Sequence, residues 1–153
     1  MDLKIEPYVG VGPLRFGMTP VQVHQAAGDP SYVNHAASGT KNKTREEYPF
    51  GGALLYEGPP DDRRLVEMTF YSDCEDLAYG DIHVFRARPR AVFQALLAAD
   101  PGAGEYVGVV IFLALGVSTT GFPGADKGEL SLTAFERGRM DEFLPLLRPA
   151  KPR

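Results

Sequence analysis

A chain of 153 residues with 44% hydrophobic and 24% charged side chains has the size and composition of one globular domain, long enough to bury a core without staples. Its formal net charge of −4 argues against nucleic-acid binding, which needs a basic face. A single cysteine, Cys74, excludes an intramolecular disulfide, and the longest apolar run, Val109 to Leu115, is far short of the roughly 20 residues of a membrane span. With no basic and apolar leader at Met1–Pro7, the chain reads as cytoplasmic, without a membrane role. The charge is uneven. Residues 1–76 carry 7 basic and 12 acidic side chains, residues 77–153 carry 9 and 8.

The first element is a short helix over 19–28. Thr19 is a good N-cap, Pro20 suits the first helical position, and Gln22 completes a capping box. Gly28 and Asp29-Pro30 end it, with Val23, Ala26 and Ala27 turned to the core and His24 to solvent. A polar loop is expected from Asn34 to Lys43. Strands are expected over Thr44–Tyr48, Ala53–Glu57 and Leu65–Tyr71. In the last of these Val66, Met68 and Phe70 alternate with Glu67, Thr69 and Tyr71. Gly58 to Asp62 is a turn, so these strands form an antiparallel meander.

Ile82–Arg86 reads as a further strand. Pro89 opens a second helix to Ala99, with Val92, Phe93, Leu96 and Leu97 as its apolar stripe. Tyr106–Val117 is an apolar strand region, Thr120–Gly128 a turn region and Glu129–Glu136 a strand. Met140, Phe143, Leu144 and Leu147 recur at helical spacing and predict a third helix, with Asp141 and Glu142 at its N-terminal end, before a frayed tail from Ala150. The expected fold is a single α+β domain over 1–153. It has one antiparallel sheet of about six strands, three helices on one face, and a core joining Phe93, Leu96, Phe143, Leu144 and Leu147 to Val66, Met68, Phe70, Val110 and Phe112. Helix, strands and proline punctuation recur at an offset of about 70 residues, which suggests two half-repeats, about 10–76 and 80–148.

Catalytic signatures are weak. Cys74 sits among Asp73, Glu75 and Asp76, which oppose a thiolate. His24, His35 and His83 have no metal-ligand spacing, so no metal or cofactor is expected. Gly10, Gly12 and Gly17 precede a helix but lack the Lys-Ser/Thr of a phosphate loop, and no G-x-S-x-G occurs. The concentration of chemistry lies in the acidic loop: Asp73, Glu75, Asp76 and Asp81 flank Tyr71 and Tyr79, side chains suited to meeting a basic protein surface.

The segment Gly10-Val-Gly-Pro-Leu-Arg-Phe-Gly-Met-Thr-Pro-Val-Gln-Val, closing at Gly28-Asp-Pro30, resembles the opening of a group of small bacterial proteins, some of them thought to be immunity proteins of neighbouring secreted toxins. It is also similar to the first helix of the SmpA/BamE-like lipoprotein module, which packs two helices on an antiparallel sheet. The likeness covers about 20 residues, transfers no active-site residue, and brings no lipid-bearing Cys. It implies a non-catalytic protein-binding module, in its most concrete form an inhibitor that masks a basic toxin. A small-molecule or enzymatic domain with a pocket between helices and sheet, and a structural module of the SmpA/BamE type, are the alternatives.

Overall fold

A computed structural model describes residues 1–36, 43–122 and 129–151. The expectations for the middle of the polar loop, for most of the Thr120–Gly128 turn and for the last two residues lie outside the described residues. The fold is mixed α+β, with two sheets in place of one. The small sheet contains β1 (Leu3–Glu6), β2 (Gly10–Val11), β3 (Leu14–Arg15), β8 (Leu77–Tyr79) and β9 (Ile82–His83) in the order β3-β2-β1-β8-β9. Its β1–β8 pair is parallel. The large sheet is antiparallel throughout. Its order is β14 (Arg148–Pro149), β10 (Gly104–Tyr106), β11 (Val109–Phe112), β12 (Val117–Thr120), β13 (Ser131–Phe135), β7 (Arg64–Tyr71), β6 (Gly52–Glu57), β5 (Lys43–Tyr48), β4 (Tyr32–Ala36).

The expected six strands therefore undercount. Strands of two residues show no periodicity, and Tyr32–Ala36 pairs as an edge strand although its composition reads as loop. The apolar region from Tyr106 is three strands, split by a two-residue turn at Val107-Gly108 and a second turn before Val117. On either side of the β7–β13 pair the chain runs helix then four antiparallel strands: α1 (Pro20–Ala27) with β4 to β7, and α2 (Pro89–Ala99) with β10 to β13.

The capping box of α1 forms as expected: Gln22 N–H donates to Thr19 Oγ1 at 3.3 Å and Thr19 N–H to Gln22 Oε1 at 2.9 Å. Val23 is buried and Ala27 half-buried, but Ala26 stays exposed. In α2, Val92, Phe93 and Leu96 are buried, and Phe93 meets Phe112 of β11 edge to face. One core joins both helices and the small sheet to the inner face of the large sheet, through Met68, Phe70, Val110 and Phe112 among others, while Val66 is buried outside it.

The third helix is present, but its type and its packing differ from the expectation. Asp141–Leu146 is a 3₁₀ turn with no buried residue, and Leu144 is 41% exposed. Pro145 lies inside it; proline cannot donate to a helical ladder and its ring crowds the preceding turn, so the apparent stripe never becomes an α-helix. Phe143 and Leu147 are half-buried and do not join the core. Pro145 and Leu146 line a groove that reaches Phe93, while the start of this segment lies on the other, outer face of the large sheet, where Met140 and Phe143 stand near Val109, Ile111 and Ser118. Arg139 fixes it by donating twice to Glu57, at 2.9 and 3.1 Å, and once to Glu67 at 3.0 Å.

Candidate interaction surface

Strand β7 ends at Tyr71 and the chain turns into the acidic loop. Cys74 N–H donates to the carbonyl of Tyr71 at 2.9 Å and Leu77 N–H to that of Cys74 at 3.5 Å. The Cys74 side chain is buried and anchors the loop from below. Burial, with Asp76 next in effect, pushes its thiol up to about 11, so it is a packing group and a poor nucleophile. The turn between β5 and β6 supports the loop from the side. Gly51 has φ +91, and a Cβ there would stand 2.8 Å from Asp73 Oδ1 and 2.9 Å from the Cys74 nitrogen, so only glycine lets the two turns approach. The contact fixes the loop at Asp73 and Cys74, and Asp73 and Glu75 are both exposed, with no ion pair among the described residues.

The remaining candidates differ in partners or in place. Asp76 is exposed but paired, 3.3 Å from Arg86 and 3.7 Å from the N-terminal amine. Tyr71 points onto the outer face of the large sheet, where its hydroxyl accepts from Arg45. Tyr79 is half-buried against the core, and Asp81 lies in the two-residue turn between β8 and β9. Asp73 and Glu75 are thus the two candidates left free on one loop.

A second polar cluster escaped the sequence reading. Glu46 of β5 points inward and is 3% exposed. Its Oε1 accepts from Tyr56 at 2.7 Å and from Tyr48 at 3.1 Å, and its Oε2 lies 2.7 Å from His24 Nε2 on α1. Burial first, and then the Glu46 carboxylate, hold both phenols neutral well above their ordinary value of 10.0. Every oxygen of this carboxylate is occupied by donors of the chain itself, which makes it a tie between α1 and the sheet. The usable signal was parity: Thr44, Glu46 and Tyr48 alternate onto one face of β5. His35 instead lies beside Thr44 at 3.3 Å and Arg63 at 3.1 Å, and His83 is exposed on β9. Among the described residues no three His, Cys, Asp or Glu side chains gather as a metal site.

Two hollows flank the β10–β11 hairpin. One is an open groove of about 1070 Å³ over Phe93, Val110 and Phe122, edged by Val107, Leu146 and Arg148. The other, about 390 Å³, lies on the outer face between Val109, Ile111, Met140 and Phe143. Among the described residues no helix is long and apolar enough to cross a membrane. Comparison of the chain with protein-family models, with curated proteins and with solved structures finds no match.

Proposed function

We propose that this chain is a non-catalytic protein-binding module that meets a basic partner through the acidic end of its large sheet. The carrying observation is the pair Asp73 and Glu75: two exposed carboxylates on a loop fixed by a buried anchor and a glycine contact, without cationic partners among the described residues. Fixed, unpaired charges steer a partner of opposite sign and lose little conformational freedom on contact. The resemblance of residues 10–30 makes an inhibitor of a basic toxin the most concrete form of this reading.

The test is capture from a lysate of the source organism, with wild-type chain and with the double variant Asp73→Lys, Glu75→Lys. The expected result is a basic protein whose association slows on reversal and depends less on salt. A partner bound equally by both would remove the loop from the interface. The groove of about 1070 Å³ favours a second reading, a small-molecule domain. A metabolite retained through purification, with no protein captured, would select it.

A further inference from the structure

Among the described residues, exposed large hydrophobic side chains occur at the N-terminus, on α1 and on β4, and four more fall in two neighbouring segments at the far edge of the large sheet. These are Tyr106, Val107, Leu144 and Leu146, 40%, 82%, 41% and 48% exposed, and all four belong to the β10–β11 hairpin or to the 3₁₀ turn that leads into β14 beside it. Val107 is the extreme case in conformation as well. Tyr106 faces Val109, so Val107 and Gly108 form a two-residue hairpin turn, with φ of +47 and +79. Such turns favour Asn, Asp or Gly at the first position; a β-branched residue there is strained. A strained, water-exposed valine costs the isolated chain stability, and strain of this kind gathers at active sites, ligand clamps and switch regions.

Register places this hairpin at the same end of the sheet as the acidic loop. Tyr106, Val109, Thr120, Ser131 and Tyr71 stand opposite one another in turn across β10, β11, β12, β13 and β7. Strands β10 and β7 run in the same direction, so the turns that follow Tyr106 and Tyr71 project from one end. Four strand spacings separate them, about 19 Å. An interface of about 800 Å² per partner is wide enough to hold both.

The geometry points to a two-part contact surface in which Val107 is the apolar anchor and Asp73 and Glu75 the charged rim. Its partner is a basic protein with an apolar pocket for the hairpin tip, and its positive charges lie to one side of that pocket. The inference rests on the protein-binding reading above. The charge of the loop selects this partner over a second copy of the chain, whose own acidic loop would be repelled.

Three purified forms test it: Val107→Asn, Val21→Asn and the Asp73→Lys, Glu75→Lys double variant. Val21 is 65% exposed on α1 and serves as the apolar control. Asparagine accepts the left-handed backbone, so Val107→Asn should raise the melting temperature by about 3 °C. A protein captured by the wild type is identified by mass spectrometry, purified, and titrated against each form. The expected result is a basic partner whose Kd weakens at least tenfold with Val107→Asn and changes less than twofold with Val21→Asn. A partner lost with the charge reversal but held equally by Val107→Asn would overturn the anchor and leave the proposed function standing. Capture of nothing, of an acidic protein, or self-association alone in sedimentation would overturn both.

Discussion

His24 Nε2 lies 2.7 Å from Oε2 of Glu46, and this contact joins the last turn of α1 to a carboxylate buried in the inner face of β5. Two phenols complete its shell. Glu46→Ala removes the common acceptor and leaves both Tyr hydroxyls inside the protein without it. The expected loss is about 3 kcal/mol in urea unfolding, against about 1–2 kcal/mol for Tyr56→Phe, which removes one donor only. Equal losses for the two would show that the carboxylate does not organise the cluster.

The same cluster sets an alkaline limit. Tyr48 and Tyr56 keep their protons in the folded chain above 10.0, while the unfolded phenols ionise near that value. Between the two values the folded state binds more protons, so stability is full below about pH 10 and falls as pH rises past it. Tyr56→Phe should flatten this fall in urea midpoints measured from pH 9 upward.

Arg139 gives the acid-side counterpart. Its hydrogen bonds, ahead of the opposing effect of burial, hold the Glu57 carboxyl below its usual range. Stability from this pair is present above about pH 4.5 and is lost as pH falls through the folded value. Glu136 nearby is shifted upward, chiefly by burial, and offsets part of this dependence. Arg139→Met should cost about 1–2 kcal/mol at pH 7 and reduce the loss between pH 5 and 3.

Leucines in α2 and in the 3₁₀ turn should behave differently. Leu96 is fully buried, and Leu96→Ala is expected to cost about 2–5 kcal/mol. Leu144 is 41% exposed, and Leu144→Ala should stay within about 0.5 kcal/mol of the wild type in thermal unfolding. A large loss at Leu144 would mean that this segment packs as the sequence spacing suggested.

Cys74 should be silent. A buried thiol pushed up to about 11 reacts through a vanishing thiolate fraction at pH 8. Alkylation in the native state should be at least 100-fold slower than in urea, and Cys74→Ser should leave partner binding unchanged.

Local chemistry explains which parts of the fold were legible. The α1 box needs only Thr19, Pro20 and Gln22, and the β7 alternation only eight consecutive residues, so both could be read directly. The α2 stripe was equally plain. The third helix was legible as an element, but Pro145 within its stripe makes it 3₁₀ and leaves it off the core. At the site, Asp73 and Glu75 were legible as exposed acids, but the close approach of Gly51 to Asp73 and Cys74 was not, since that glycine is remote in sequence. Glu46 was missed because its partners stand at positions 24, 48 and 56 and meet only after β5, β6 and α1 are assembled. The kinship of the hairpin tip with the acidic loop needed the register of five strands.

The seam between β7 and β13 has a kinetic meaning. Thr69 and Thr133 share a hydrogen bond of 2.9 Å there, across a separation of 64 residues. Strands β4 to β7, and β10 to β13, are each joined to their neighbours by connections far shorter than that. Closing a long loop costs entropy before its contacts form, so each four-stranded meander should zip early and the seam should close last. Until it does, β7 and β13 are unpaired edges, each lined on its inner face by core side chains such as Met68 and Leu132. Two chains refolding together can satisfy those edges with each other. Exchange of halves between molecules is therefore the misassembly to which this architecture is most open at high protein concentration.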